Sequence, residues 1–464
     1  MDTATLETKA PAAETVAMRM ARWVDNLKYE DLPPEVIDMA KRCLLDYLGV
    51  LIRGSTFPQV QPVFDYVSEI GGRPDSTVAM RGLKTTPAYA VYANATFAHS
   101  CEFDDAHELA GHPGVIAIPV AIAVAEANHM SGKEAILGIV AGYEMMVQAG
   151  ACIHQIPLHI GWHNTKVMGV FGAAAVVAKM LRMTPEQTTN AFAISGSEAG
   201  GVMEYDQSGG EVKRLHAGSA ARLGLQSAMV ARAGLTGPNT IFEGKRGIWQ
   251  MFAQGEFDRD PESYWNGAFY ILRTMFKMSP AVGTVHGSID SAREIIKMAK
   301  FEPEDIERID AYVSKLAFTH GASIVHPEDC IGAQFSLAFS LGLVFVKGKA
   351  SLMDYLDPAC WSDPKIMAVA DKVHPHIRET QKGASVLGGA VTVTLKDGRT
   401  FSYDQLLPRG NWKNPASTAE LEEKFRDLVG DLMPKAQVDE IVDKVSKLDT
   451  IPDMAEFAKL MVPR

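Results

Sequence analysis

The sequence predicts a mainly α protein: a large all-helical domain built from both chain ends, with a smaller α+β lid inserted between them. Three observations support this. Helix-start signals recur through the first half, period-two alternation is confined to a stretch after Trp265, and helical patterning returns at Thr418. At 464 residues the chain exceeds what one core ordinarily organises, so more than one unit is expected.

Taken in order, Pro33-Pro34-Glu35 opens an apolar-periodic run through Leu44, Leu45, Leu48 and Leu51, and Thr86-Pro87 opens a second. His112-Pro113 leads into the apolar run Val115 to Ala125. Ser131-Gly132-Lys133-Glu134 has capping-box spacing, and Thr184-Pro185-Glu186 starts another helix. The segments Gly169 to Leu181 and Ala217 to Ala233 are apolar on most faces, as expected of helices inside a bundle. Ile306 to Leu316 and Ala390 to Leu395 then alternate as strands do, and Lys396-Asp397-Gly398-Arg399 reads as a hairpin turn because Asp-Gly tolerates positive φ. Thr418 to Leu432 and Val438 to Val445 are helical again. Residues 1–268 and 406–464 are therefore assigned to the helical domain and 269–405 to the lid.

A net charge of -11 argues against nucleic acid or an anionic membrane as partner, since both draw affinity from clustered cations. Five scattered cysteines with no C-x-x-C pair disfavour a disulfide framework and a structural zinc site. The first fifteen residues lack a basic-then-apolar signal, and no apolar run is long enough to span a bilayer. A cytoplasmic protein is expected.

The chemistry concentrates between Phe97 and Pro113, where Glu102, Asp104, Asp105, His107 and His112 fall within eleven residues. His112 can exchange a proton near neutral pH with the carboxylates fixing its tautomer, and the following helix start would welcome a substrate carboxylate. In Gly161-Trp162-His163, Trp162 offers an apolar wall and His163 is a second acid/base candidate. Gly209 and Gly210 allow close approach before Lys213 and Arg214, of which Lys213 is the stronger carboxylate-binding candidate; His216, at the start of the Ala-rich helix, reads equally as a member of this cluster or as a helix cap. His99, His107 and His129 read as surface residues, and His154 and His159 as structural or peripheral.

No G-x-x-x-x-G-K-[ST] loop, G-x-G-x-x-G fingerprint or G-x-S-x-G elbow is present, so nucleotide-binding and serine-hydrolase readings fall away. With no H-E-x-x-H, no metal is expected.

At these motifs the chain resembles the MmgE/PrpD family, whose members include 2-methylcitrate dehydratase, cis-aconitate decarboxylase and iminodisuccinate epimerase. The resemblance rests on Ala40 to Asp46 with Leu48-Gly49, His99 to Asp105 with His112-Pro113, Gly161 to His163, Val212 to His216, Phe242-Glu243-Gly244 with Arg246-Gly247, and Pro408 to Asn411. It implies a homodimer without cofactor, and a pocket at Asp104, His112, His163, Lys213 and His286. Against the animal-type cis-aconitate decarboxylase pattern, Glu102 stands for aspartate, Ala106 for threonine and Phe339 for tyrosine. The combined expectation is a cofactor-independent lyase of 2-methylcitrate dehydratase type, acting beside a carboxylate of a small di- or tricarboxylic acid. His163, His112, Lys213 and Asp104 would be catalytic, and Glu102, Arg214, His286, Trp162 and Phe339 would bind substrate. Epimerisation and decarboxylation are the alternatives, and a non-catalytic binding protein is the rival class.

Overall fold

The computed structural model describes residues 14–205, 209–258, 261–319 and 321–464. Residues 1–13, on which most of the signal-segment reading falls, lie outside it.

The body is a bundle of α1 (Val16–Asn26), α2 (Pro34–Gly54), α3 (Pro87–Ala98), α4 (Gly114–Ala127), α5 (Gly132–Ala151), α6 (Asn164–Met180), α7 (Pro185–Glu198) and α8 (Val212–Arg232). The capping box at Ser131 and Glu134 forms as the spacing predicts, and Thr184 makes a second with Gln187. Helix α6 lies at the centre against α4, α5, α7 and α8. Glycines let these helices approach closely: a Cβ on Gly224 would sit 2.2 Å from the Val170 carbonyl oxygen, and one on Gly172 would sit 2.9 Å from that of Gly142.

After Pro280 a second hydrophobic core begins, formed from Ala281 to Leu395 and distinct from that of the bundle. It contains α9 (His286–Met298), α10 (Leu337–Lys347) and a four-stranded sheet of β1 (Ile306–Val313), β2 (Val373–Ile377), β3 (Gly389–Leu395) and β4 (Thr400–Gln405). The sheet order is β2-β1-β3-β4, with β1 and β2 parallel and the other pairs antiparallel. The predicted hairpin joins β3 to β4, with Gly398 at φ 87°. Strand β2 escapes sequence reading because Val373-His374-Pro375-His376-Ile377 is short and holds a proline, which demotes a strand signal; as an edge strand it tolerates Pro375. The chain then returns to the bundle through α11 (Thr418–Val429) and α12 (Lys435–Ser446), whose apolar residues join the first core. The molecule is thus mainly α with a small α+β part. Among the described residues no helix is long and apolar enough to cross a membrane, and all five cysteines are free and buried.

Candidate active site

The loop between α3 and α4 begins with one 3-10 turn, His99–Cys101, after which Glu102 adopts a left-handed conformation at φ 53°. A non-glycine residue seldom sits there, and such positions gather at functional sites. Ala106 and Met275 exchange backbone hydrogen bonds of 2.8 Å, which lays the loop alongside the segment carrying Lys277. His107 and Gly111 close a tight turn, with Gly111 at φ 75°. A Cβ on Gly111 would meet Thr165 Oγ1 at 2.7 Å, so glycine allows His112 to be delivered against the start of α6.

Asp104 is the hub. Its Oδ2 faces His99 Nδ1 at 2.9 Å and His112 Nδ1 at 3.1 Å, and His112 Nδ1 also lies 2.7 Å from the Asp105 carbonyl oxygen. A proton on each Nδ1 satisfies all three contacts and leaves both Nε2 atoms as the basic faces. Burial alone would raise the Asp104 carboxyl, but the two imidazoles donating to it hold it well below its usual range. The His163 ring stacks on His99 at 5.6 Å and lies 6.5 Å from His112, with Nδ1 3.1 Å from His216 Nδ1. Burial first, then the His99 and Lys213 positions, push His163 well below 6.5, so it rests neutral.

Cations form the other wall. Lys213 donates to Glu102 Oε2, and Lys277 donates to Glu102 Oε1 at 2.8 Å and to the Glu102 carbonyl oxygen at 3.1 Å. Burial opposes ionisation of Glu102, yet Lys213 and Lys277 outweigh it and depress its pKa strongly. Arg214 is buried, pairs with Glu211 and reaches the Ser100 carbonyl oxygen at 3.4 Å. From the lid, Gln334 donates to the Cys101 carbonyl oxygen at 2.9 Å, and the Phe335 ring lies 5.2 Å from Lys213 Nζ.

Several expectations need correction. His99 is 1 % exposed, at the centre of the cluster, because the apolar helix α3 carries it inward. His107 is also buried, edge-on to Tyr270. His216 is not a cap: α8 starts at Val212, so Lys213, Arg214 and His216 occupy its first turn and a half. The start of α4 is taken by the chain's own Asp105, whose Oδ1 accepts from Gly114 N at 3.0 Å and whose Oδ2 accepts from Tyr143 at 2.5 Å. Phe339 lies in the lid core, its ring 5.8 Å from Tyr355, because the buried face of α10 turns toward the lid interior. Trp162 stacks edge-on to Phe252 at 5.0 Å, outside the cluster. The Nε2 of His286 bonds the Ala281 carbonyl oxygen at 3.0 Å, so its link to the site is electrostatic, through Lys277. His129, His154 and His159 are exposed as expected.

His99, Asp104 and His112 bring their ligand atoms within 4.8 Å of one another, close enough to surround a small cation. At the Nδ1 atoms a metal would have to displace the protons that His99 and His112 give to Asp104 and to the Asp105 carbonyl oxygen.

Residues 18–260 match the MmgE/PrpD N-terminal domain and residues 279–448 the MmgE/PrpD C-terminal domain. The chain belongs to the MmgE/PrpD family. This MmgE/PrpD chain is 27% identical to a cis-aconitate decarboxylase-like protein of Aspergillus oryzae, covering 96% of this chain and 97% of that one. It is 26% identical to the cis-aconitate decarboxylase of Homo sapiens, over 97% of this chain and 95% of the human one. A 2-methylcitrate dehydratase of Escherichia coli O157:H7 is 22% identical over 81% and 82%.

Sequence reasoning missed two prominent members of this MmgE/PrpD site. His99 carried a signal in the apolar helix running into it. Lys277 carried one as a lone charge between Phe276 and Met278, which is how a buried cation reads in a sequence. Gln334 and Phe335 carried none.

Proposed function

We propose that this MmgE/PrpD protein is a cofactor-independent lyase acting on a small tricarboxylic acid at a carbon next to a carboxylate. The observation that carries this reading is one carboxylate, Asp104, orienting two imidazoles beside two buried ammonium groups. In the resting site Glu102 occupies Lys213 and Lys277; a substrate carboxylate takes over one of these ammonium groups, which then stabilises the electron-rich species formed beside it. His163 and His112, with Nε2 free, remove or deliver protons. In dehydration, the reading the sequence favours, one imidazole takes the C–H proton on its bare Nε2, while the other enters the step already protonated on Nε2 and gives that proton to the departing hydroxyl, which leaves as water. General acid–base groups of this kind are worth about 10²–10⁴ in rate, and positioning supplies the rest.

Decarboxylation is the second reading, supported by relatives of that name that align over nearly the whole chain. There the C–C bond breaks, carbon dioxide leaves, and the carbanion takes a proton from an imidazole. Incubation with 2-methylcitrate and with cis-aconitate in deuterated water separates the two: dehydration yields an unsaturated acid, decarboxylation yields carbon dioxide and carbon-bound deuterium. Deuterium at one stereocentre with neither product would replace both readings with epimerisation. Turnover of none of them, with iminodisuccinate included, would favour the non-catalytic class. We also propose a homodimer, which light scattering of the purified protein tests directly.

A further inference from the structure

The side chain of His216 faces His163 rather than solvent: the two Nδ1 atoms are 3.1 Å apart, and the rings are 5.2 Å apart. Two ring nitrogens at this separation share one proton, because two lone pairs or two N–H groups would repel. The backbone around the pair is fixed. His163 caps α6 with its N–H on the Gly201 carbonyl oxygen at 2.8 Å, and His216 is held in the second turn of α8. Tyr205 closes the far side, edge-on to His163 at 6.1 Å and to His216 at 5.7 Å. Among the described residues, the charged and titratable groups facing His216 are Lys166 on α6, Lys213 on α8, His99 on the site loop and Tyr205, and His163 touches it directly. No carboxylate is among these groups to stabilise a resting imidazolium. Both rings therefore rest neutral, one donating and one accepting.

We propose that His216 is a positioning residue that accepts the Nδ1–H of His163, fixing the tautomer in which the His163 Nε2 lone pair faces the substrate. As His163 Nε2 takes a proton from the substrate carbon, the Nδ1 proton moves to His216 Nδ1, so the positive charge leaves the buried ring. The reverse transfer returns it, and no other reactant is required. Burial, with Lys166 next, holds His216 near pKa 4, which keeps it an acceptor in the resting enzyme. The transfer step rests on the acid–base reading of His163 given above; the tautomer does not.

Nitrogen-15 spectra of the histidine-labelled full chain test it. The expected result is a His163 ring with its proton on Nδ1 and a bare Nε2; a proton on Nε2 would overturn the proposal whatever the enzyme does. Two variants separate positioning from packing. His216→Asn keeps an amide near the place of Nδ1, whereas His216→Gln keeps one near the place of Nε2. The asparagine variant is expected to preserve the tautomer but to lose about tenfold in kcat, because an amide accepts the hydrogen bond without being able to take the proton. The glutamine variant is expected to lose the fixed tautomer and at least about 10²-fold in kcat, with KM little changed and the acid limb of the pH profile displaced. Equal behaviour of the two, or better function with the bulkier glutamine, would show that His216 only fills space. If wild-type protein turns over none of the candidate acids, the functional reading fails while the spectra still decide the tautomer.

Discussion

At the scale of single residues, the site is a set of buried charges that balance one another. Glu102 satisfies two ammonium groups, so removing either alone still leaves it paired. Lys213→Ala and His163→Ala are therefore each expected to cut turnover by about 10²–10⁴ with little change in Tm. A large drop in Tm for either single variant would mark its role as structural. Lys213→Ala combined with Lys277→Ala behaves differently. It leaves a buried carboxylate with neither ammonium partner and is expected to cost about 3–5 kcal/mol, measured by urea unfolding, well beyond the sum of the single changes. Additivity would show that Glu102 finds another partner.

At the scale of elements, the site depends on helices that never touch substrate. Lys424, on α11 from the C-terminal end of the chain, donates to Asp46 Oδ1 on α2 at 2.7 Å and to the carbonyl oxygens of Phe103 at 2.6 Å and Lys277 at 3.0 Å. One ammonium thus ties together the two segments that carry Glu102, Asp104 and Lys277. Lys424→Met leaves Asp46 charged and buried, and a loss of about 3–5 kcal/mol is expected. Adding Asp46→Leu removes the stranded charge. Stability is expected to recover in part, while activity stays low because the two carbonyls remain unclamped. Recovery of both together would show that Lys424 matters for folding alone.

At the scale of the whole molecule, the lid and the bundle have separate cores, that of the lid running from Ala281 to Leu395 while Tyr270, Ile271 and Phe276 pack into the bundle. A cavity of about 710 Å³ opens between them beside Phe103 and Lys424, lined by Arg53, Asp290, Arg293 and Arg409 among others and by none of the clustered imidazoles. The imidazoles themselves are closed in, His112 being the most accessible with 15 % of its side chain exposed. Burial also sets the response to acid. His99, His107, His163, His216 and His286 are all held below 6.5, His107 at about 4 and His286 at about 3. The unfolded chain takes up these protons below pH 6.5 and the folded chain does not, so their stability contribution is complete above 6.5 and lost as pH falls toward the folded values. Asp105 and Glu144, raised to about 7 by burial, work the other way, since the folded chain binds their protons first. Burial raises Asp46 and Asp290 as well, and the five imidazoles outweigh these four carboxyls. Tm is expected to fall between pH 6.5 and 5, with His107 and His286 each contributing on the order of 2 kcal/mol. A Tm that rises over this interval would show that the carboxyls dominate.

Read by itself, the sequence determined what is local. Capping at Ser131, the glycine turn at Gly398 and the apolar periodicity of α2 and α8 depend on neighbours within a few residues, and they give the helical body, the lid and the chemistry-bearing segments. His112 and His163 stood out beside apolar helix starts, Asp104 within a dense acidic loop, and Lys213 in a basic cluster that follows two glycines. Only the tertiary structure decided which of them meet. It put His99 rather than Phe339 in the cluster, gave the start of α4 to Asp105, paired His163 with His216, and brought Lys277 and Lys424 from distant segments to the same loop. Those outcomes follow from how helices cross and which faces they bury, and a buried charge acquires its partner from that packing, not from its place along the chain.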